Sequence, residues 1–157
     1  NLIMNQKGVE IMAIYFYTTK GQYGEFSNFS NFGIKVGGLW WPTTEHYFQA
    51  QKFENEQYQE AIRLARTPKR AAELGRSRKL PMRDDWSEFR DDVMKLAVLK
   101  KFKTHKKLGD LLQGTEGERL VENAPGDYYW GCGADGSGEN KLGQILEEVR
   151  SELKDKT

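Results

Sequence analysis

Leu39-Trp40-Trp41-Pro42-Thr43-Thr44-Glu45-His46-Tyr47-Phe48-Gln49-Ala50-Gln51-Lys52-Phe53 is the stretch that decides how this 157-residue chain is read. Its first three residues are apolar and bulky enough for a strand, and Pro42, which has no N–H to give a ladder, ends that strand. Thr43 or Thr44 then caps a helix predicted to run to about Asn55, with Glu45 in the first turn, where a carboxylate suits the positive end of the helix dipole. On that helix Glu45, Gln49 and Lys52 stand at i, i+4 and i+7, so a carboxylate, an amide and an amine share one face, with His46 and Tyr47 to either side. A solvated stripe with an ordinary surface ion pair has the same spacing and is the commoner outcome on helices. What favours chemistry is the entry: Trp40-Trp41-Pro42 sets a rigid aromatic strand end directly before Glu45 and leaves it partly desolvated. Desolvation raises a carboxyl pKa, and a poised acid is what protonation of a leaving amine needs. Lys52 serves as a nucleophile only where burial or a neighbouring cation keeps part of it neutral. His46 reads as a hydrogen-bonded packing residue rather than a base.

Upstream, Ile34-Lys35-Val36 and Leu39-Trp40-Trp41 flank Gly37-Gly38, which predicts a two-residue hairpin. Ala13-Ile14-Tyr15-Phe16-Tyr17 reads as a strand, followed by a loop carrying Phe26-Ser27-Asn28-Phe29. Residues 1–12 show no clean period and are read as an N-terminal tail. Downstream, helices are predicted at about 56 to 66, at 68 to 75 with Pro68 in first position and Gly75 at the end, and at about 84 to 103. The longest places Trp86, Phe89, Val93, Met94, Leu96, Ala97 and Lys100 on one broad buried stripe. Leu108 to Leu112 reads as a short turn, Leu120-Val121 and Tyr128-Tyr129-Trp130 as short strands, and Asn140 to Leu153 as the last helix. The expected fold is α+β, a single mostly helical domain over 13–157 with a small antiparallel sheet.

The composition, 38% hydrophobic and 30% charged, is that of a globular protein, and no apolar run approaches the roughly 18 residues a membrane span requires. With no export signal to read, the cytoplasm is the expected location. Cys132 is alone, so no intrachain disulfide forms, and one cysteine with two histidines does not furnish the usual zinc ligand set; neither metal nor cofactor is expected. A formal net charge of +1 gives no global field for holding nucleic acid, so an anion must be caught locally. The cations of Gly75-Arg76-Ser77-Arg78-Lys79-Leu80-Pro81-Met82-Arg83 read equally well as a soluble loop and as a phosphate clamp. Glycines 131, 133, 136 and 138 before Asn140-Lys141-Leu142-Gly143 suit either a backbone cradle at a helix start or a flexible loop, and match neither a Walker A nor a Rossmann pattern. The aromatics, four tryptophans among them, suit a core and a planar ligand alike.

Together these segments resemble the NADAR family and, within it, the YbiA-like riboflavin-biosynthesis-intermediate N-glycosidases, over about residues 15–153. The resemblance is carried by Phe16-Tyr17 with Tyr23-Gly24-Glu25-Phe26-Ser27-Asn28-Phe29, by Trp41 through Phe53, by Gly75-Arg76 with Arg83 and Asp85-Trp86, and by Leu120-Val121-Glu122, Trp130-Gly131 and Asn140-Lys141-Leu142-Gly143. It implies a YbiA-like α+β domain and hydrolysis of the N-glycosidic bond in phosphoribosylamino-pyrimidine intermediates of riboflavin biosynthesis. The products are ribose 5-phosphate and a free aminopyrimidine, and the role is pre-emption of metabolite damage. The implied partner is this small ribosylamine phosphate, with no membrane involved. Other family members resemble erasers of ADP-ribose from guanine, the alternative reading and the one under which nucleic acid is a partner.

A ribosylamine opens to an imine, so a lysine that captures C1 as a Schiff base is chemically reasonable, with a carboxylate shuttling protons. The resemblance gives Lys52 the first role and Glu45 the second. It implies that Trp86 and Trp130 stack on the base, that Arg76 and Arg83 hold phosphate, and that Asn28, His46, Gln49 and Asn140 line the substrate site. The chain departs from the family at Glu139, where a basic residue is common, which favours the arginine loop as the phosphate subsite. A non-catalytic module binding ADP-ribose or a related nucleotide is a third reading; the presence of both Glu45 and Lys52 speaks against it, since binding alone needs no nucleophile.

Overall fold

The computed structural model describes residues 2–155; Asn1, at the head of the expected tail, and residues 156–157, at the end of the expected domain, lie outside the described residues. In chain order the elements are β1 (Leu2–Met4), β2 (Glu10–Phe16), a 3-10 turn over Gly24–Phe26, β3 (Ile34–Val36), β4 (Leu39–Trp41), α1 (Thr44–Ala50), α2 (Glu56–Arg63), α3 (Pro68–Arg76), α4 (Trp86–Thr104), α5 (Lys106–Gln113), β5 (Arg119–Glu122) and α6 (Lys141–Asp155). The fold class is α+β, as the sequence predicts. The chain divides into two compact units: one is the uninterrupted stretch Asn28–Thr104, the other combines the residues up to Ser27 with those from His105 onward.

In the uninterrupted unit, Gly37 and Gly38 take φ of +63° and +76°, the two successive left-handed positions that a tight hairpin turn requires. They bring β3 and β4 into antiparallel register, Ile34 opposite Trp41 and Val36 opposite Leu39. Trp41 is buried and meets Tyr47 edge-on at 5.3 Å. Thr43 caps α1 by accepting from the His46 N–H at 3.2 Å, and every residue of α1 is buried.

The helix stops at Ala50 rather than near Asn55. Lys52 and Phe53 turn their amides back three residues, to the carbonyls of Gln49 and Ala50. Asn55 then caps the next helix, accepting from the Tyr58 N–H at 2.8 Å. A good N-cap is worth more as the start of a new helix than as interior residue of an old one. By the same logic Thr67, with Pro68 behind it, starts α3 and cuts α2 off at Arg63 rather than 66. The buried face of α4 holds Met94, Ala97, Val98 and Lys101; Phe89 and Leu96, placed on the predicted stripe, are exposed. The core gathers Ile34, Trp41, Tyr47, Ala50, Phe53, Ile62, Ala71 and Ala97, and α1 packs against α2, α3 and α4.

In the second unit, β2 pairs antiparallel with β1 (Leu2 opposite Met12) and parallel with β5 (Ala13 opposite Arg119 through Phe16 opposite Glu122). The sheet is therefore mixed where an antiparallel one is expected, and residues 2–4 and 10–12, read as tail, contribute to it. Side-chain alternation marks a strand but says nothing of its partner's direction, and a parallel partner lies beyond a long crossover. Tyr128-Tyr129-Trp130 is not a strand. Asp127 Oδ1 accepts from the N–H groups of Tyr129 at 3.0 Å and Trp130 at 2.8 Å, an Asx turn that withdraws those donors from any ladder. The short turn expected at 108–112 is the full helix α5, and α6 packs on β5 and α5. Among the described residues no helix is long and apolar enough to cross a membrane.

Candidate functional site

The loop carrying Asn28 fixes the start of α1. Asn28 Oδ1 accepts from the Thr44 hydroxyl at 2.9 Å, its backbone carbonyl accepts from the Glu45 N–H at 3.2 Å, and its Nδ2 points to Met94 Sδ at 3.3 Å. Asn28 thus holds the helix end that carries Glu45, which is a positioning contact where substrate contact is expected from sequence. Glu45 itself is buried beside the positive end of the helix. Its Oε1 accepts from Gln49 Nε2 at 2.7 Å, the i, i+4 contact the spacing predicts.

Lys52 lies in the turn after α1 rather than on the helix, half-buried, with its Nζ 5.8 Å from the centre of the Phe48 ring. Burial pushes its amine down from the usual 10.5 to about 8; Glu45 pulls the other way, and the guanidinium groups of Arg78 and Arg76 press it down further. At about 8 an appreciable share of the amine is neutral near pH 7, the condition a nucleophilic lysine must meet. The Glu45 carboxylate is therefore bonded to the Gln49 amide and within electrostatic reach of a partly desolvated Lys52 amine, although the turn and not the helical period delivers the lysine.

The remaining predicted residues divide. Arg76, the last residue of α3, is exposed and its charge reaches Lys52. Arg78 does the same, with its guanidinium on the carbonyls of Gly75 at 2.8 Å and Ser77 at 3.0 Å; it stands two residues beyond Arg76 in the basic loop, yet no role is assigned to it from sequence. Arg83 is engaged otherwise. Its guanidinium makes a two-pronged pair with Asp85, Nε to Oδ1 at 2.6 Å and Nη2 to Oδ2 at 3.2 Å, and lies 4.5 Å from the Phe89 ring. A fork already filled by a carboxylate is poorly placed to hold phosphate, and the 630 Å³ cavity beside it is lined by Glu54, Asp84 and Asp85 as well.

His46 has both ring nitrogens occupied, Nδ1 by the Thr43 hydroxyl at 2.7 Å and Nε2 by the Ala65 carbonyl at 2.9 Å. A carbonyl only accepts, so Nε2 carries the hydrogen and Nδ1 accepts from Thr43. Burial lowers the imidazole pKa, against the Ala65 bond that raises it, in keeping with that neutral tautomer. The ring ties α1 to the α2–α3 link and offers no nitrogen to a substrate. Trp86 is buried edge-to-face on Phe48 at 5.1 Å, as the core reading of α4 anticipates. In the other unit, Trp130 is partly exposed and edge-on to Tyr129 at 4.9 Å. Asn140, at φ +53°, accepts from the Glu122 N–H at 2.9 Å and donates to the Leu120 carbonyl at 2.9 Å. Both ends of its amide are spent on β5, so its part is structural rather than the substrate contact expected. Among the described residues no three His, Cys, Asp or Glu side chains are grouped to hold a metal ion.

The NADAR domain family matches residues 15–154. N-glycosidase YbiA of Escherichia coli (strain K12) is 48% identical over 140 residues, covering 89% of this chain and 88% of that one. Its NMR structure superposes with a TM-score of 0.87 at 46% identity, over 92% of this chain and 86% of the other. The chloroplastic riboflavin biosynthesis protein PYRR of Zea mays is 41% identical over 159 residues, which is 92% of this chain and 26% of that longer protein.

Proposed function

This chain belongs to the NADAR family and is an N-glycosidase, a hydrolase acting on N-glycosyl compounds, and from that premise we propose that it cleaves phosphoribosylamino-pyrimidine intermediates of riboflavin biosynthesis to ribose 5-phosphate and a free aminopyrimidine. The substrate is a small molecule met in the cytoplasm. The observation that carries the reading is that buried Glu45 lies within electrostatic reach of an amine lowered to about 8 at Lys52, which the cations of Arg76 and Arg78 also reach. A module that only needed to bind gains nothing from an amine whose charged form is disfavoured by a partly desolvated turn.

In this reading the ribosylamine opens to its imine, and neutral Lys52 adds to C1. Glu45 moves the proton from the incoming amine to the exocyclic nitrogen, the aminopyrimidine leaves, and Lys52 and C1 are joined as a Schiff base. Water then hydrolyses that bond, releasing ribose 5-phosphate and restoring Lys52. The exposed guanidinium groups of Arg76 and Arg78 hold the phosphate, in place of Arg83. The similarity to a riboflavin biosynthesis protein supports the choice of substrate.

Mass spectrometry of the protein incubated with the phosphoribosylamino-pyrimidine, with sodium borohydride added during turnover, tests the reading. Ribose 5-phosphate should appear and a reduced sugar adduct should map to Lys52. Turnover of ADP-ribosylated guanine with none of the pyrimidine substrate transfers the assignment to nucleic-acid repair. A fully active Lys52→Arg variant without adduct leaves direct attack by water, assisted by Glu45.

A further inference from the structure

Gln49 is buried, and its Oε1 has no hydrogen-bond partner among the described residues. Buried polar atoms are almost always paired, so one left alone calls for a physical reason. The reason stands on α3. At Gly75 an added Cβ would fall 1.9 Å from Gln49 Oε1 and 2.6 Å from its Cδ, so the bare backbone of α3 lies directly against the amide. Gly75 is in a helix and needs no unusual backbone conformation, and glycine weakens a helix relative to alanine; what it supplies here is room.

The carboxylate of Glu45 decides which way round the seated amide stands. Turned over against the ionised carboxylate, Gln49 would aim a carbonyl oxygen at Glu45 Oε1, acceptor against acceptor. As it stands, Nε2 donates to Glu45 Oε1 at 2.7 Å, and an N–H can only donate. Oε1 is thereby held as an acceptor, and a proton carried by Glu45 resides on Oε2. We infer that Gly75 and Gln49 are positioning residues for Glu45, the glycine seating the amide and the amide assigning the transferable proton to one carboxyl oxygen. The inference rests on the reading of Glu45 as the acid/base group. It replaces the expectation that Gln49 contacts substrate.

The test is a double-mutant cycle on kcat and KM for ribose 5-phosphate release by the wild type, Gln49→Ala, Gly75→Ala and the double variant, with melting temperatures recorded and Glu45→Gln as control. Gln49→Ala should lower kcat about tenfold or more with KM little changed, the scale of one lost hydrogen bond to a charged group. Gly75→Ala should do at least as much damage alone and none in the Gln49→Ala background, because the clash it creates has gone. A raised KM with unchanged kcat in Gln49→Ala overturns the inference in favour of substrate contact. Equal losses from Gly75→Ala in both backgrounds overturn the seating role. So does a double variant that fails to fold where Gln49→Ala folds, a comparison that holds even if Gly75→Ala alone does not fold. A fully active Glu45→Gln removes the acid/base reading and the inference with it.

Discussion

Replacing Lys52 with methionine should abolish activity and make the protein more stable at neutral pH. The unfolded lysine titrates near 10.5 and the folded one at about 8, a gap that places at most about 3.5 kcal/mol of penalty on the folded ammonium, at about 1.4 kcal/mol per pH unit. The side chain keeps part of its water, so about 1–2 kcal/mol is the gain expected, or roughly 2–8 °C in melting temperature for a chain of this length. Methionine keeps the apolar stem beside the Phe48 ring and removes only the charge. Below pH 8 the lysine is protonated in both states and the full penalty weighs on the fold. Between 8 and 10.5 folding expels a proton, so wild-type stability rises with pH relative to the variant, and above 10.5 the difference vanishes. Urea unfolding of both proteins at pH 7 and pH 10.5 measures it, other titrating groups cancelling in the difference. A Lys52→Met protein equal to or weaker than wild type at pH 7 refutes the argument that desolvation, rather than ion pairing with Glu45, dominates this amine.

Hydrolysis should gain about tenfold per pH unit below 8 and level off above it, as the neutral fraction of Lys52 rises through about 8; a flat single-turnover profile between pH 6 and 8 would contradict a lysine nucleophile. Glu45→Gln should cost about 10²–10⁴-fold in kcat, the usual share of a positioned acid/base, while binding measured by calorimetry stays near the wild-type value. Arg76→Ala or Arg78→Ala should weaken the phosphorylated substrate more than its dephosphorylated counterpart, by about 1.5–3 kcal/mol for a charge-assisted contact; inhibition constants of the two product sugars compare them, and Arg83→Ala should show no such preference. Asn140→Ala should lower unfolding stability by about 2–4 kcal/mol, since it strands a buried N–H and a buried carbonyl of β5 and puts alanine in a left-handed position; denaturant melts check it, and kcat of the folded fraction should be unchanged.

Local rules carried much of this molecule. The Gly37-Gly38 hairpin, Pro68 at the head of α3 and the Glu45–Gln49 contact depend on residues within a few positions of one another and stand where the sequence places them, and of the two threonines offered as the cap of α1 the structure uses Thr43. Sequence and structure part where two local signals compete, as where Asn55 opens α2 instead of closing α1, or where Asp127 takes the amides of a segment with strand-like composition. The parallel partner of β2 and the Asp85 hold on Arg83 are choices of partner, and periodicity is silent about partners. His46 and Asn140 show a related limit: a polar residue in a motif block looks the same whether it faces a ligand or the backbone of its own chain. Arg78 was in view in the basic loop, but its influence on Lys52 is a matter of distance in space.

The parallel pairing of β2 with β5 bears on how the chain is made. Ala13–Phe16 finds its partner only at Arg119–Glu122, and the whole of Asn28–Thr104 leaves the ribosome in between. The stretch bearing Glu45 and Lys52 therefore has its sequence complete while β2 still waits with one edge open, and closing so long a loop is a slow, entropically costly step. On a translating ribosome the segment that bears Glu45 and Lys52 is therefore complete first, and the pairing of β2 with β5 can only follow it.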